Sequence, residues 1–170
     1  MLEREGVVMQ GKSCVSKVDA FGRAVYVAPM QVAFALFADA ANLSQEGKLN
    51  VLGVFDALQV GNLPAVHPRA HLVVHLKGSN SDVGRHTVTL RWTNPNGSEL
   101  WTSSGELNVG QPPAGVTEMD LPLIAQIDLP IDAAGAYNMS VSLDDKLSAE
   151  VPVQVRTAQS VRPTSGGMFS

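Results

Sequence analysis

Three groups of residues have the types and spacings that could do chemistry. The first is Gly6-Val7-Val8-Met9-Gln10-Gly11-Lys12-Ser13, which satisfies the phosphate-binding pattern of glycine, four residues, then Gly-Lys-Ser. Such a loop works only where a strand enters it and a helix leaves it, because backbone amides and the helix N-terminus must converge on phosphate. Five residues precede Gly6 and Gly22 interrupts the segment after Ser13, so neither flank is available. Val51-Leu52-Gly53-Val54-Phe55-Asp56 imitates an apolar strand ending in a magnesium-binding aspartate, but it reads equally as an ordinary sandwich strand. The second group is His67, His71 and His75, which recur every four residues. On a helix that spacing would stack them as metal ligands. On a strand His71 and His75 lie roughly 13 Å apart, too far to share an ion. A metal site would need His86, Glu106 or an acidic loop residue as well. The third group is Cys14 with the carboxylates Glu99, Glu106, Glu118, Asp120 and Asp128, which are scattered with no local acid–base pairing. No Gly-x-Ser-x-Gly elbow is present. No catalytic residue, metal or cofactor is expected, and binding or assembly is favoured over catalysis.

The segments that must position any site are short, rich in Val, Leu and Thr, and punctuated by Pro, Gly, Asn and Asp. They run 31–37, 50–58, 70–78, 85–93, 98–109, 118–129, 136–143 and 147–156, a spacing that predicts an all-β sandwich. A single helical turn is expected over 39–45. Asn94-Pro95-Asn96-Gly97 predicts a hairpin closed by a glycine bulge. That register pairs Trp92 with Leu100, turning Trp92 inward and Trp101 outward. Asp132-Ala133-Ala134-Gly135-Ala136-Tyr137 reads as a tyrosine corner, which favours an antiparallel two-sheet immunoglobulin-like (Greek-key) sandwich. A last hairpin through Asp144-Asp145-Lys146 should face Tyr137, Met139, Val141 and Leu143 with Leu147, Ala149, Val151, Val153 and Val155. The core row of the third segment is Ala70, Leu72, Val74 and Leu76.

Domain organisation follows from the same pattern. The 170 residues fit one domain. Residues 1–29 lack sustained periodicity and read as an N-terminal extension, with Met30 as an alternative start. Residues 30–156 form the sandwich and 157–170 a flexible tail. A net charge of −4 argues against a nucleic-acid partner. No apolar run is long enough to span a membrane as a helix. Arg23 followed by apolar 24–38 has some look of a secretory signal, but Pro29, Gln31 and the acidic start oppose it. One cysteine suits a reducing compartment, so the cytoplasm is the default.

The stretch from Phe34 to Pro68 is distinctive, especially Ala38-Asp39-Ala40-Ala41-Asn42, Gln45-Glu46-Gly47-Lys48-Leu49-Asn50, Leu52-Gly53-Val54-Phe55-Asp56 and Pro64-Ala65-Val66-His67-Pro68. It resembles a family of small bacterial proteins classed as a domain of unknown function, with the likeness covering roughly 31–156. The resemblance implies a cytoplasmic β-sandwich and no activity.

If segments 70–78 and 85–93 pair, His71, His75, Lys77, Arg85, Thr87, Thr89, Arg91 and Trp101 share one face. That would be a locally basic patch with one aromatic, suited to a protein partner, self or foreign, or to a sugar ring. The bland alternative is that Arg91 shields Trp101 on a solvated face. A protein-interaction module is therefore the first reading, a carbohydrate or other ligand-binding domain the second, and a hydrolase or metalloenzyme with a loop-built site the third.

Overall fold

Most strands of the sandwich fall on segments that alternating apolar residues predict, and their grouping into sheets is set by where the chain crosses between layers. In the computed structural model, residues 16–18, 21, 24–26 and 29–158 are described. The extension holds an antiparallel pair, Ser16–Val18 (β1) with Ala24–Tyr26 (β2), which periodicity did not predict. The phosphate-loop pattern at Gly6–Ser13, Cys14 and the residues after Ala158 lie outside the described residues.

One sheet has four strands in the order β4-β3-β6-β9: Gln31–Leu43 (β3), Leu49–Phe55 (β4), Ala65–Ser79 (β6) and Glu118–Ile131 (β9). The other has five in the order β5-β11-β10-β7-β8: Ala57–Val60 (β5), Gly84–Thr93 (β7), Glu99–Val109 (β8), Gly135–Leu143 (β10) and Lys146–Thr157 (β11). All pairs in the sandwich are antiparallel except β5 against β11. The layers, their crossovers and a tyrosine corner make this an immunoglobulin-like sandwich.

The expected row Ala70, Leu72, Val74 and Leu76 is buried, and it meets Trp92, Tyr137, Met139, Val141, Val151 and Val153 from the other sheet. Tyr137 is the third residue of β10, at the strand entry where the corner was predicted. Its hydroxyl accepts from the amides of Asp132 and Ala133, both at 3.0 Å, and donates to Asp132 Oδ1 at 2.6 Å. Trp92 stacks on its ring at 5.0 Å and donates Nε1–H to the Pro130 carbonyl at 2.9 Å. Met139, two residues beyond the corner tyrosine, stands where antibody domains carry a disulfide cysteine.

Four expectations need correction. The segment 50–58 is two strands in different sheets, because the chain crosses over at Asp56, whose carbonyl takes the Gln154 amide at 2.7 Å. The helical turn at 39–45 is strand and hairpin. Ser44 N bonds Lys48 O at 2.8 Å and Gly47, with φ +78°, closes the turn. Pairing with β4 outweighs the local helix preference of the alanines. Leu147 is 62% exposed rather than core, because Asp144 and Asp145 both take left-handed conformations in a two-residue turn and a bulge after Val141 shifts the register. At the other hairpin a bulge at Leu100 pairs Trp92 with Trp101, so Trp101 turns inward against the core.

Tyr137→Phe keeps the ring but leaves two amides and a carboxylate without the hydroxyl. It is expected to lower stability by about 2 kcal/mol, read as a shift in urea midpoint at constant slope.

Candidate functional site

The third strand of the four-stranded sheet and the first long strand of the five-stranded sheet were expected to pair. They do not: β6 and β7 lie in different layers. The eight residues expected on one face are therefore divided three ways. His71, His75 and Lys77 are on the outer face of the four-stranded sheet, as the partners of outward Ala38, Phe34 and Gln31. Arg85, Thr87, Thr89 and Arg91 are on the outer face of the five-stranded sheet, opposite Asn108, Glu106, Ser104 and Thr102. Trp101 lies between the sheets. The chain between β6 and β7, the 3-10 turn Asn80–Asp82, crosses from one layer to the other, which is why neighbouring segments do not pair.

Nor is either face basic. Arg91 pairs with Glu99 at 3.0 Å and Arg85 with Glu106 at 3.5 Å. Lys77 contacts Glu118 at 2.6 Å and Asp120 at 3.0 Å, and these hydrogen bonds, Glu118 first, raise its pKa. His75 is half-buried, with Nε2 3.6 Å from Asp120 and its ring stacked on Phe34 at 5.0 Å. The Nδ1 atoms of His71 and His75 are buried with no hydrogen-bond partner among the described residues. His67 is turned to the inner side, edge-on to Phe55 at 5.4 Å. Among the described residues no three of His, Cys, Asp and Glu converge on a metal position.

What the four-stranded sheet does present outward is apolar. Along β3 the outer row is Phe34, Leu36, Ala38 and Ala40, and beside it on β4, the edge strand among the described residues, stand Val54 and Leu52. On the other side come His71, Val73 and His75, then Pro122 and Ile124 of β9. Val73 and Ala38 have no exposed surface although both point outward, while Leu52 is 73% and Val54 61% exposed. Charge appears at the two ends, with Lys77, Glu118 and Asp120 at one and Asp128, which accepts the Arg69 amide at 2.8 Å, at the other. The outer face of the five-stranded sheet is instead Thr, Ser, Asn, Arg and Glu almost throughout. The expected patch therefore keeps His71, His75 and Lys77 and gains Phe34, Leu36, Leu52 and Val54. A signal for these was present: Val32 to Phe37 is apolar at both parities, as is Leu72 to Val74, and a strand apolar on both faces contacts something on both.

Residues 33–156 match a family of unknown function, DUF6941. This chain belongs to that family. The resemblance expected over roughly 31–156, and most distinctive from Phe34 to Pro68, is borne out. No curated protein matches the chain. Among solved structures it is similar to the alkylpurine DNA glycosylase AlkC of Pseudomonas fluorescens, bound to DNA containing an abasic site analog. That likeness has 9% identity and a TM-score of 0.42 over 76% of this chain, and the match spans 31% of the glycosylase chain. It is also similar to an immunoglobulin-like protein from Pseudomonas aeruginosa, with 14% identity and a TM-score of 0.32, over 76% of this chain and 98% of that one. Neither likeness bears on what this family member does.

His86 forms a second polar cluster at one end of the sandwich. Its Nδ1 lies 2.7 Å from Asp144 Oδ2 and its Nε2 2.7 Å from the Asp82 carbonyl. Two acceptors suit the doubly protonated ring, and the Asp144 contact raises the His86 pKa while lowering that of Asp144. Asp144 Oδ1 also accepts the Thr87 amide at 2.9 Å, and Asp82 Oδ1 the Met30 amide at 3.1 Å. The stabilisation from His86 is fully present below its unfolded pKa of about 6.5 and is lost as pH rises through the higher folded value. That from Asp144 is lost as pH falls through its depressed folded value. The stability advantage of wild type over His86→Gln should thus be greatest near pH 6 and shrink through pH 8, when unfolding is measured by denaturant titration at each pH. Solvent screening keeps it to about 1 kcal/mol or less.

Proposed function

We propose that this family member is a protein-interaction module that assembles through the outer face of its four-stranded sheet, with a second copy of the chain as occupant. The observation that carries this is the contrast between the two outer faces: one polar and ion-paired, the other an apolar surface running from Phe34 to Leu52 and ending on a free edge strand. Monomeric proteins rarely leave contiguous apolar surface of this kind uncovered. A second copy fits because charge on the face is confined to its ends, Lys77 with Glu118 and Asp120 at one of them, so the apolar middle of two such faces can meet without burying a charge. An isologous contact would also bring the β4 edges into reach of each other.

A bacterial cytoplasm is our reading of the compartment. It rests on the single cysteine and on a core in which Met139, Trp92 and Tyr137 occupy the region a disulfide would hold. A carbohydrate partner loses its support, since the ring it would stack on, Trp101, faces the core. We also propose that the folded unit begins at Met30, whose side chain packs against the core and whose amide bonds Asp82. A chain starting there should melt within about 2 °C of the full-length protein, and a large drop in melting temperature would overturn that boundary.

Multi-angle light scattering over a concentration series tests the assembly. Wild type should shift from monomer to dimer, while the Leu52→Lys/Val54→Lys variant should dimerise at least about 30-fold more weakly, with unchanged melting temperature because both side chains are exposed. A wild type that stays monomeric at every concentration, or a variant that dimerises equally well, sinks the proposal. A heteromeric complex formed through this face by a monomeric wild type would likewise replace it.

A further inference from the structure

On the side of the sandwich opposite β4 and β5, the sheets end in two edges, β8 and β9, that are unpaired among the described residues. Along β8 the inner-facing residues are Trp101, Ser103, Gly105 and Leu107. The first and last of these are large and pack on the core. The middle two carry almost no side chain at the positions where β7 presents Leu90 and Val88 across the ladder, and β9 brings Leu123 and Ala125 from the opposite sheet. The result is a cavity of about 270 Å³ between the sheets, opening along the β8 edge.

Gly105 shows that this is missing volume. A β-carbon placed on it meets no heavy atom within 4 Å, and its φ is not in the left-handed region. The backbone therefore accepts any L residue, and a larger side chain would extend into open space within the sandwich. A glycine inside a strand weakens it unless something approaches closely there. We infer that the slot between β8 and β9 is a binding site for a small, uncharged, largely apolar molecule.

Size and chemistry define the ligand class. An apolar cavity of about 150 Å³ takes up benzene, so this one suits a one- or two-ring aromatic or a medium-length aliphatic chain. Leu72, Val74, Leu90 and Leu123 supply the apolar lining, and Ser103 brings a hydroxyl onto it. No cation is among the lining residues to receive a carboxylate head group, and the one charged residue there, Glu106, is already paired with Arg85. The slot is one side-chain layer deep, which suits a compact molecule better than a folded segment. It is separate from the apolar outer face, and ligand binding and self-assembly can fail independently.

The test is thermal unfolding and calorimetric titration of the full chain with indole and 1-octanol, against octanoate as the charged control. Gly105→Leu is the slot-filling variant. Wild type should gain roughly 5 °C at tenfold excess of indole or 1-octanol over its Kd, with octanoate binding at least tenfold more weakly. Gly105→Leu should melt at or above the wild-type temperature without ligand and lose the ligand-induced shift. Two results overturn the inference. One is a wild type that responds to neither neutral probe, or no more than Gly105→Leu does. The other is a Gly105→Leu chain whose oligomeric state changes, which would assign the slot to a strand or side chain of a second molecule. Should Gly105→Leu fail to fold, Ser103→Leu fills the same slot from the neighbouring inner position, and retained binding in that variant overturns the inference equally.

Discussion

The Tyr137 hydroxyl and the Asp132 carboxylate hold the rest of the structure in place. Asp132 lies where the chain leaves β9 in one sheet and enters β10 in the other, so the crossover depends on its conformation. Its other oxygen accepts from Asn94 at 2.8 Å, and Asn94 Oδ1 in turn accepts the amides of Asn96 and Ser98 in the β7–β8 hairpin. Trp92 adds the stack on Tyr137 and the bond to Pro130. Three strand ends from both sheets are thereby tied at one pole through buried or half-buried hydrogen bonds, which cost more to leave unmade than their modest net value suggests. Gly135 is part of the same constraint: it takes φ +138°, and a β-carbon there would sit 2.8 Å from Pro95. The hydrogen bonds from Tyr137 and then Asn94 hold Asp132 below the ordinary carboxylate range. The corner is therefore weakened only as pH falls through that depressed value.

With that pole fixed, the two sheets are free to differ in what they show to solvent. The five-stranded sheet follows the ordinary alternation of apolar inside and polar outside. The four-stranded sheet does not, because β6 buries Leu72, Val73 and Val74 in succession. A central strand buried on both faces behaves like the middle of a three-layer arrangement. That property, rather than any cluster of ionisable groups, is what makes an interaction surface the reading with the most physical support.

Much of this was legible in the chain. Seven of the eight predicted segments fall on single strands, five of them within two residues of the expected limits, and the corner at Tyr137 and the hairpin glycine at Gly97 sit where their residue types require. The hairpin at Ser44–Lys48 carries the same signature as that at Asn94–Ser98, a glycine at the fourth position with left-handed φ, and was obscured only by the helix-prone alanines before it. The candidate site was less legible, for two reasons. A bulge shifts parity by one residue, so the extra residue at Leu100 turned Trp101 from outer to inner face without any change in composition. Sheet membership is also nonlocal. Nothing between Ser79 and Gly84 states that the chain changes layers there, and a face built on the pairing of β6 with β7 could not survive that change.

The bulge and the slot have a common origin. By bringing both Leu100 and Trp101 onto the core side, the bulge places two large side chains at one end of β8. The core near Trp92 is then filled from β8 itself, and the small residues Ser103 and Gly105 fall farther along, where β8 and β9 have no further strand to close over them. Had β8 kept the unbulged register, Leu100, Thr102, Ser104 and Glu106 would have faced inward, burying a carboxylate beside Leu123 at a cost that such a core does not bear. The same inserted residue thus keeps Glu106 at the surface, commits Trp101 to the interior, and leaves the open volume at Gly105.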